Sequence, residues 1–176
     1  MSTAEHITTY GAAKRLSAQT LTRWQAWEEA DQAALLTFAQ ELQLGENQLR
    51  DFLDWIEEIR ARDGSRAYEI LTQPGMQKAR ESQLSRNDKL KKCKEALRRL
   101  RYPRLSHLED QLQAAAKALD LGQQVRIVFP PSLEGSDITI EIKVGSEEEL
   151  AEVVHCLQQR LAAGKWHSLF ELLDQV

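Results

Sequence analysis

The hydrophobic period of this chain changes twice, and that change limits its fold more than any other feature of the sequence. From residue 17 to residue 121 apolar side chains recur at intervals of three and four. Between 125 and 144 they alternate, and after 146 the three-and-four interval returns. The first spacing lines one stripe of a helix, and alternation lines one face of a strand. The chain is therefore expected to be mostly α with a small α+β C-terminal part. In order it reads as an N-terminal helical bundle, a basic linking helix, and a helix–β-hairpin–helix domain.

Leu21, Trp24 and Trp27 follow Ser17 at helical spacing, and Leu35, Leu36, Ala39 and Leu42 repeat the pattern over 31–43. After Gly45, residues Leu49, Phe52, Leu53, Ile56 and Ile59 give an amphipathic helix over 46–62. Asp63-Gly64 stops it, Ser65 caps a short helix at 66–72, and Pro74-Gly75 ends that one. The helical domain is thus expected to span 1–73, with a polar linker at 74–87 in which 76–84 can be helical. Residues 88–176 form the second part, opened by a basic helix over 87–101 that Pro103 breaks. A helix over 106–121 carries Leu105, Leu108, Leu112 and Leu119. Strands come from Val125, Ile127 and Phe129, and from Ile138, Ile140, Ile142 and Val144, around a loop at 130–136. Ser146 and Glu149 make a capping box for a helix over 147–162, and a last helix spans 166–174.

Composition supports this reading. Eight glycines and four prolines in 176 residues leave helices with few breakers, and the length suffices for one domain or two small ones. Cys93 and Cys156 stand alone, without metal-ligand spacing, and fit a reducing cytoplasm. Neither an apolar signal core nor a run of about 20 apolar residues is visible, so a cytoplasmic protein without a membrane span is expected.

The net charge of −4 conceals a strong local block. Residues 78–104 carry 11 basic and 3 acidic side chains, and both flanking parts are acidic. Lys89, Lys91, Lys92, Lys94, Arg98, Arg99, Arg101 and Arg104 form the candidate nucleic-acid-binding set, in which Leu90, Cys93, Ala96, Leu97 and Leu100 occupy the opposite side. Such a row can neutralise phosphates, and it carries no base-reading groups, so contact would be independent of sequence. A solvated helix face, braced by Glu95 between Lys91 and Arg99, accounts for the same residues, as does an acidic protein partner. A helix-turn-helix at 35–54 fits the apolar spacing. However, Gln43 stands at the turn, and Asp51, Asp54, Glu57 and Glu58 would repel DNA, so a core helix pair explains it better.

Enzyme motifs are missing: there is no phosphate loop, Cys-x-x-Cys or His-Glu-x-x-His, and His6, His107, His155 and His167 share no ligand spacing. No catalytic residue, metal site, cofactor or small-molecule substrate is expected. Trp24, Trp27, Trp55 and Trp166 read as core anchors.

The segment 108–157 combines a leading Leu-Glu helix, a Val-Arg-Ile strand, a loop, an Ile-x-Ile-Glu-Ile strand, and Ser-x-Glu-Glu-Leu opening a helix. In this pattern it resembles the C-terminal dimerisation domain of the ParB/Noc chromosome-partition family, over about a third of the chain. The resemblance implies a bacterial, partition-like homodimer whose hairpins pair into one sheet. Leu108, Leu112, Ile138, Ile140, Ile142, Leu150, Val153, Val154 and Leu157 would then form the dimer interface. Residues 1–77 show nothing like that family's nucleotide-binding or site-reading parts. The polar strand face here offers Arg126, Glu141 and Lys143, so the basic helix is the better candidate for DNA contact. The functional expectation is a non-enzymatic dimeric DNA-binding or nucleoid-associated protein. The alternative is a protein–protein adaptor or regulatory subunit that binds no nucleic acid.

Overall fold

A computed structural model describes residues 2–135 and 137–175. The chain divides into two compact units, Met1–Tyr102 and Pro103–Val176. The first holds α1 (Thr3–Lys14), α2 (Ala18–Gln25), α3 (Glu29–Leu42), α4 (Glu46–Asp63), α5 (Ala67–Leu71), α6 (Pro74–Glu81) and α7 (Arg86–Arg101). The second holds α8 (Pro103–Ala118), β1 (Val125–Val128), β2 (Thr139–Ile142), α9 (Glu147–Ala162) and α10 (His167–Leu173). The protein is mostly helical with a small α+β C-terminal part, as the change of period requires.

In the first unit a single core runs through all seven helices. Trp24, Phe38, Leu49, Phe52, Leu53 and Ile56 are fully buried in it, and Met76, Leu90, Cys93 and Leu97 belong to the same cluster. Two features of this unit depart from the sequence reading. Residues 3–14, to which the sequence reading assigns no element, form a helix that Ser2 caps in a complete capping box with Glu5, and it buries Ile7 and Tyr10. The linker placed at 74–87 is largely helix. Pro74 occupies the first helical position, where its missing N–H costs nothing, so Pro74-Gly75 begins an element instead of ending one. Met76 and Ala79 then seat α6 against α7, and the division between units falls at Tyr102–Pro103. Pro103 likewise opens α8 and does not sit inside a helix.

Arginines fasten α7 to this unit at both ends. Arg86 donates to the carbonyls of Leu42 (2.8 Å) and Gln43 (3.3 Å), which are left over where α3 ends. Arg62 donates to the carbonyls of Leu100 (2.7 Å) and Arg101 at the end of α7. Gln43 adopts the left-handed conformation that closes α3 (φ 50°), a position where glycine is commoner.

The second unit has its own smaller core of Leu112, Leu119, Leu121, Leu133, Trp166, Leu169 and Leu173. β1 and β2 pair antiparallel with Val125 opposite Ile142 and Ile127 opposite Ile140. Leu133, in the connection between the strands, is buried despite a left-handed backbone (φ 56°), so this loop contributes to the core. Ser146 caps α9 by accepting the Glu149 N–H at 3.2 Å. The Glu149 carboxylate bonds Gly145 N–H at 2.8 Å instead of returning to Ser146. Among the described residues no helix is long and apolar enough to cross a membrane.

Candidate interaction site

α7 forms because its apolar residues keep helical spacing and Ser85 caps it by accepting the Asp88 N–H at 3.2 Å. Leu90, Cys93 and Leu97 are buried, with Ala96 and Leu100 packed beside them, as the spacing implies. The basic side is engaged more than the sequence suggests. Lys94 reaches Asp51 at 2.8 Å, Arg98 holds Glu95 through two bonds of 2.8 and 2.9 Å, and Arg101 grips Glu58 through both its Nε and Nη2. Lys94 and Arg101 also lie over the Trp55 ring, at 5.9 and 5.7 Å. Trp55 is thus a half-buried platform for two cations, whereas Trp24, Trp27 and Trp166 are buried anchors.

These pairs exist because α4 presents its acidic side to basic neighbours. Asp51 and Glu58 meet α7, and Asp54 and Glu57 meet Arg23 of α2 at 2.7 and 2.6 Å. The carboxylates that argued against a helix-turn-helix at 35–54 are therefore structural partners. Glu95 pairs with Arg98. Its carboxyl is held below the ordinary range, chiefly by the Arg98 hydrogen bonds.

Of the eight basic residues singled out, Lys91 and Lys92 are exposed and have no ion pair with a described residue, and Lys89 is half-buried. Arg99 interacts within the protein, and Arg104 belongs to the other unit. The candidate row thus reduces to a short basic step. Beside it, a cleft of about 510 Å³ is lined by Glu41, Leu42, Gln77, Arg80, Glu81 and Lys89. Arg80 is already committed to Glu41 at 2.6 and 2.7 Å, so the cleft carries mixed charge and suits no particular ion. Beneath it the Cys93 thiol is fully buried and its pKa is pushed up to about 11 by burial, which makes it a poor nucleophile. Among the described residues no group of three or more His, Cys, Asp or Glu side chains is placed to hold a metal.

The second unit presents a different surface. Directly opposed residues share a sheet face, so Val125, Ile127, Ile140 and Ile142 lie on one side and Arg126, Val128, Thr139 and Glu141 on the other. Val125 and Ile127 pack on the core, but Ile140 and Ile142 remain 39 % and 37 % exposed. α9 buries only Val153 fully and leaves Leu150, Val154 and Leu161 in solvent. Of the interface residues expected from the sequence, Ile140, Ile142, Leu150 and Val154 are accessible. Leu112 and Val153 are not: both lie buried within the unit, Leu112 because the stripe of α8 faces α10 and the loop around Leu133. Leu108, Ile138 and Leu157 are half-buried against the same core. Leu161, the most exposed large apolar residue described at 67 %, was not among those expected. Its place in the same stripe, four residues after Leu157, was the signal that marked it.

Fold and surfaces together define a mostly helical protein with a small α+β C-terminal unit, bearing one partly neutralised basic helix and exposed apolar residues on β2 and α9. No protein-family model, curated protein or solved structure matches the chain.

Proposed function

We propose that the protein is a homodimeric binding protein of the adaptor or regulatory class, joined through its C-terminal unit. The observation that carries this reading is the number of large apolar side chains that unit leaves exposed. The two-stranded sheet and a sixteen-residue helix leave Ile140, Ile142, Leu150, Val154 and Leu161 all exposed within a unit of 74 residues. A two-stranded sheet is marginal in water unless its face and edges are covered, and a twofold pairing covers both copies at once. The resemblance of 108–157 to a dimerisation domain supports the same reading.

Light scattering or sedimentation at tens of micromolar is expected to give a dimer. Ile140→Asp should return it to monomer, because the substitution places an unpaired charge in the buried contact. A wild-type chain that stays monomeric at that concentration would sink the proposal.

The exposed pair Lys91 and Lys92 supports a second reading, sequence-independent contact with nucleic acid phosphates. With two or three cations per copy instead of eight, affinity should be modest and its log–log salt slope shallow, about 0.9 per phosphate neutralised on duplex DNA. Anisotropy on labelled duplex at two salt concentrations tests it. Loss of binding in Lys91→Glu/Lys92→Glu supports phosphate contact, and no binding by the wild type at low salt leaves the adaptor reading alone.

A further inference from the structure

The stripe exposed by α9 is symmetric about its own middle. Leu150, Val154, Leu157 and Leu161 are separated by four, three and four residues, so the order reads the same from either end. Three of the four are exposed, and Leu157 is half-buried at the stripe's centre. The charge of the helix is not symmetric. Glu147, Glu148, Glu149 and Glu152 crowd its first half, while Arg160 in its last turn and Lys165 just beyond carry positive charge.

We infer that α9 pairs with the α9 of a second copy in antiparallel orientation, about a twofold axis between His155 and Cys156. This inference rests on the proposed dimer and specifies its geometry. In that register Leu150 meets the second copy's Leu161, and Val154 meets its Leu157. The alternation of three and four is the spacing by which two helices keep a shared apolar seam. Charge selects the direction. A parallel pair would set four carboxylates beside four carboxylates. The antiparallel pair instead brings Lys165 beside the opposing Ser146–Glu147 turn and opposes the two helix dipoles. Arg160 contributes less, because it already reaches Asp120 at 3.5 Å. No other protein is needed to explain the face, since the stripe is complementary to itself in both spacing and end charge.

Cysteine cross-linking in a Cys93→Ala/Cys156→Ala background tests the orientation. Leu150→Cys and Leu161→Cys proteins, each prepared alone and then mixed under mild oxidation, should yield a covalent heterodimer. Neither should cross-link to itself, because like positions lie eleven residues apart along the seam, about 16 Å at 1.5 Å per residue. Self-cross-linking of Leu150→Cys would show parallel packing and overturn the inference. A dimer by sedimentation that gives no cross-link in the mixture would also overturn it, while leaving the dimer itself standing. A monomer in sedimentation would remove the proposed dimer and this inference together. As a second measurement, Lys165→Glu should weaken the dimer several-fold, and adding Glu147→Lys should restore it. Failure of the double exchange to restore affinity would count against the antiparallel register.

Discussion

The hydroxyl of Tyr10 lies 2.7 Å from the Leu44 carbonyl and 2.9 Å from that of Ala39, tying α1 to the end of α3 inside the core. Burial disfavours the phenolate and pushes its pKa up to about 12 from the ordinary 10.0, although the charge of Arg86 offsets part of the rise. The folded chain then holds this proton more tightly than the unfolded one. The stabilisation is complete below pH 10 and is lost as pH climbs from 10 towards 12. Tyr10→Phe should cost about 1–2 kcal/mol at neutral pH, because the carbonyls lose their donor. It should also flatten the fall in stability across that alkaline window. Urea melts at pH 7, 10 and 11.5 would show both effects, and an unchanged alkaline slope would remove Tyr10 as the cause. Asp31 is the other buried polar anchor. It accepts the Tyr68 N–H at 2.9 Å and sits 3.7 Å from Arg60 and Arg66, which places the start of α5.

At the level of elements, α7 is a part of the first unit's core that also carries most of the chain's basic block. Its two sets of cations should respond differently to charge reversal. Lys94 and Arg101 face Asp51 and Glu58, so Lys94→Glu/Arg101→Glu replaces two attractions with two repulsions. Partly exposed pairs are each worth about 0.2–1 kcal/mol, and like charges cost similar amounts, so a loss of about 1–3 kcal/mol is expected. Lys91→Glu/Lys92→Glu should stay within about 0.5 kcal/mol of the parent, as solvated substitutions do. Equal destabilisation in thermal melts of the two variants would contradict this division of the helix. The same contrast makes the lysine pair a clean probe of phosphate contact, since the fold does not depend on it.

For the whole molecule, the decisive fact is where the first core closes. A fragment ending at residue 73 lacks Met76, Ala79, Leu90, Cys93 and Leu97, all members of that core, and the Arg62 bonds to α7. A fragment of residues 1–102 keeps all of them. The longer fragment is expected to melt cooperatively by circular dichroism. The shorter one should be unfolded or strongly destabilised, since emptying even one large core position costs about 2–5 kcal/mol. Cooperative melting of 1–73 at the same temperature as 1–102 would put the boundary back in the 74–87 segment.

Beyond α1 and α6, the order of elements was legible in the sequence because it depends on local period: helical stripes to 121, two alternating runs, a capped helix at 147. So was the buried side of α7, which follows from the spacing of Leu90, Cys93 and Leu97. The open face of the second unit was half legible. Ile140, Leu150 and Val154 follow from pattern, but Leu112 and Val153 share that pattern and are buried within the unit. Periodicity shows which side of an element is apolar and not which neighbour covers it. The domain boundary was misread for a related reason. Pro-Gly ends or begins a helix with the same two residues, and only the packing of Met76 and Ala79 beside α7 chooses between them. The charge of the basic helix was plain from residues 78–104, whereas its neutralisation by Asp51 and Glu58 joins positions 43 apart. Local chemistry determined the elements and their apolar sides; long-range packing alone decided which charges and which apolar faces remain for a partner.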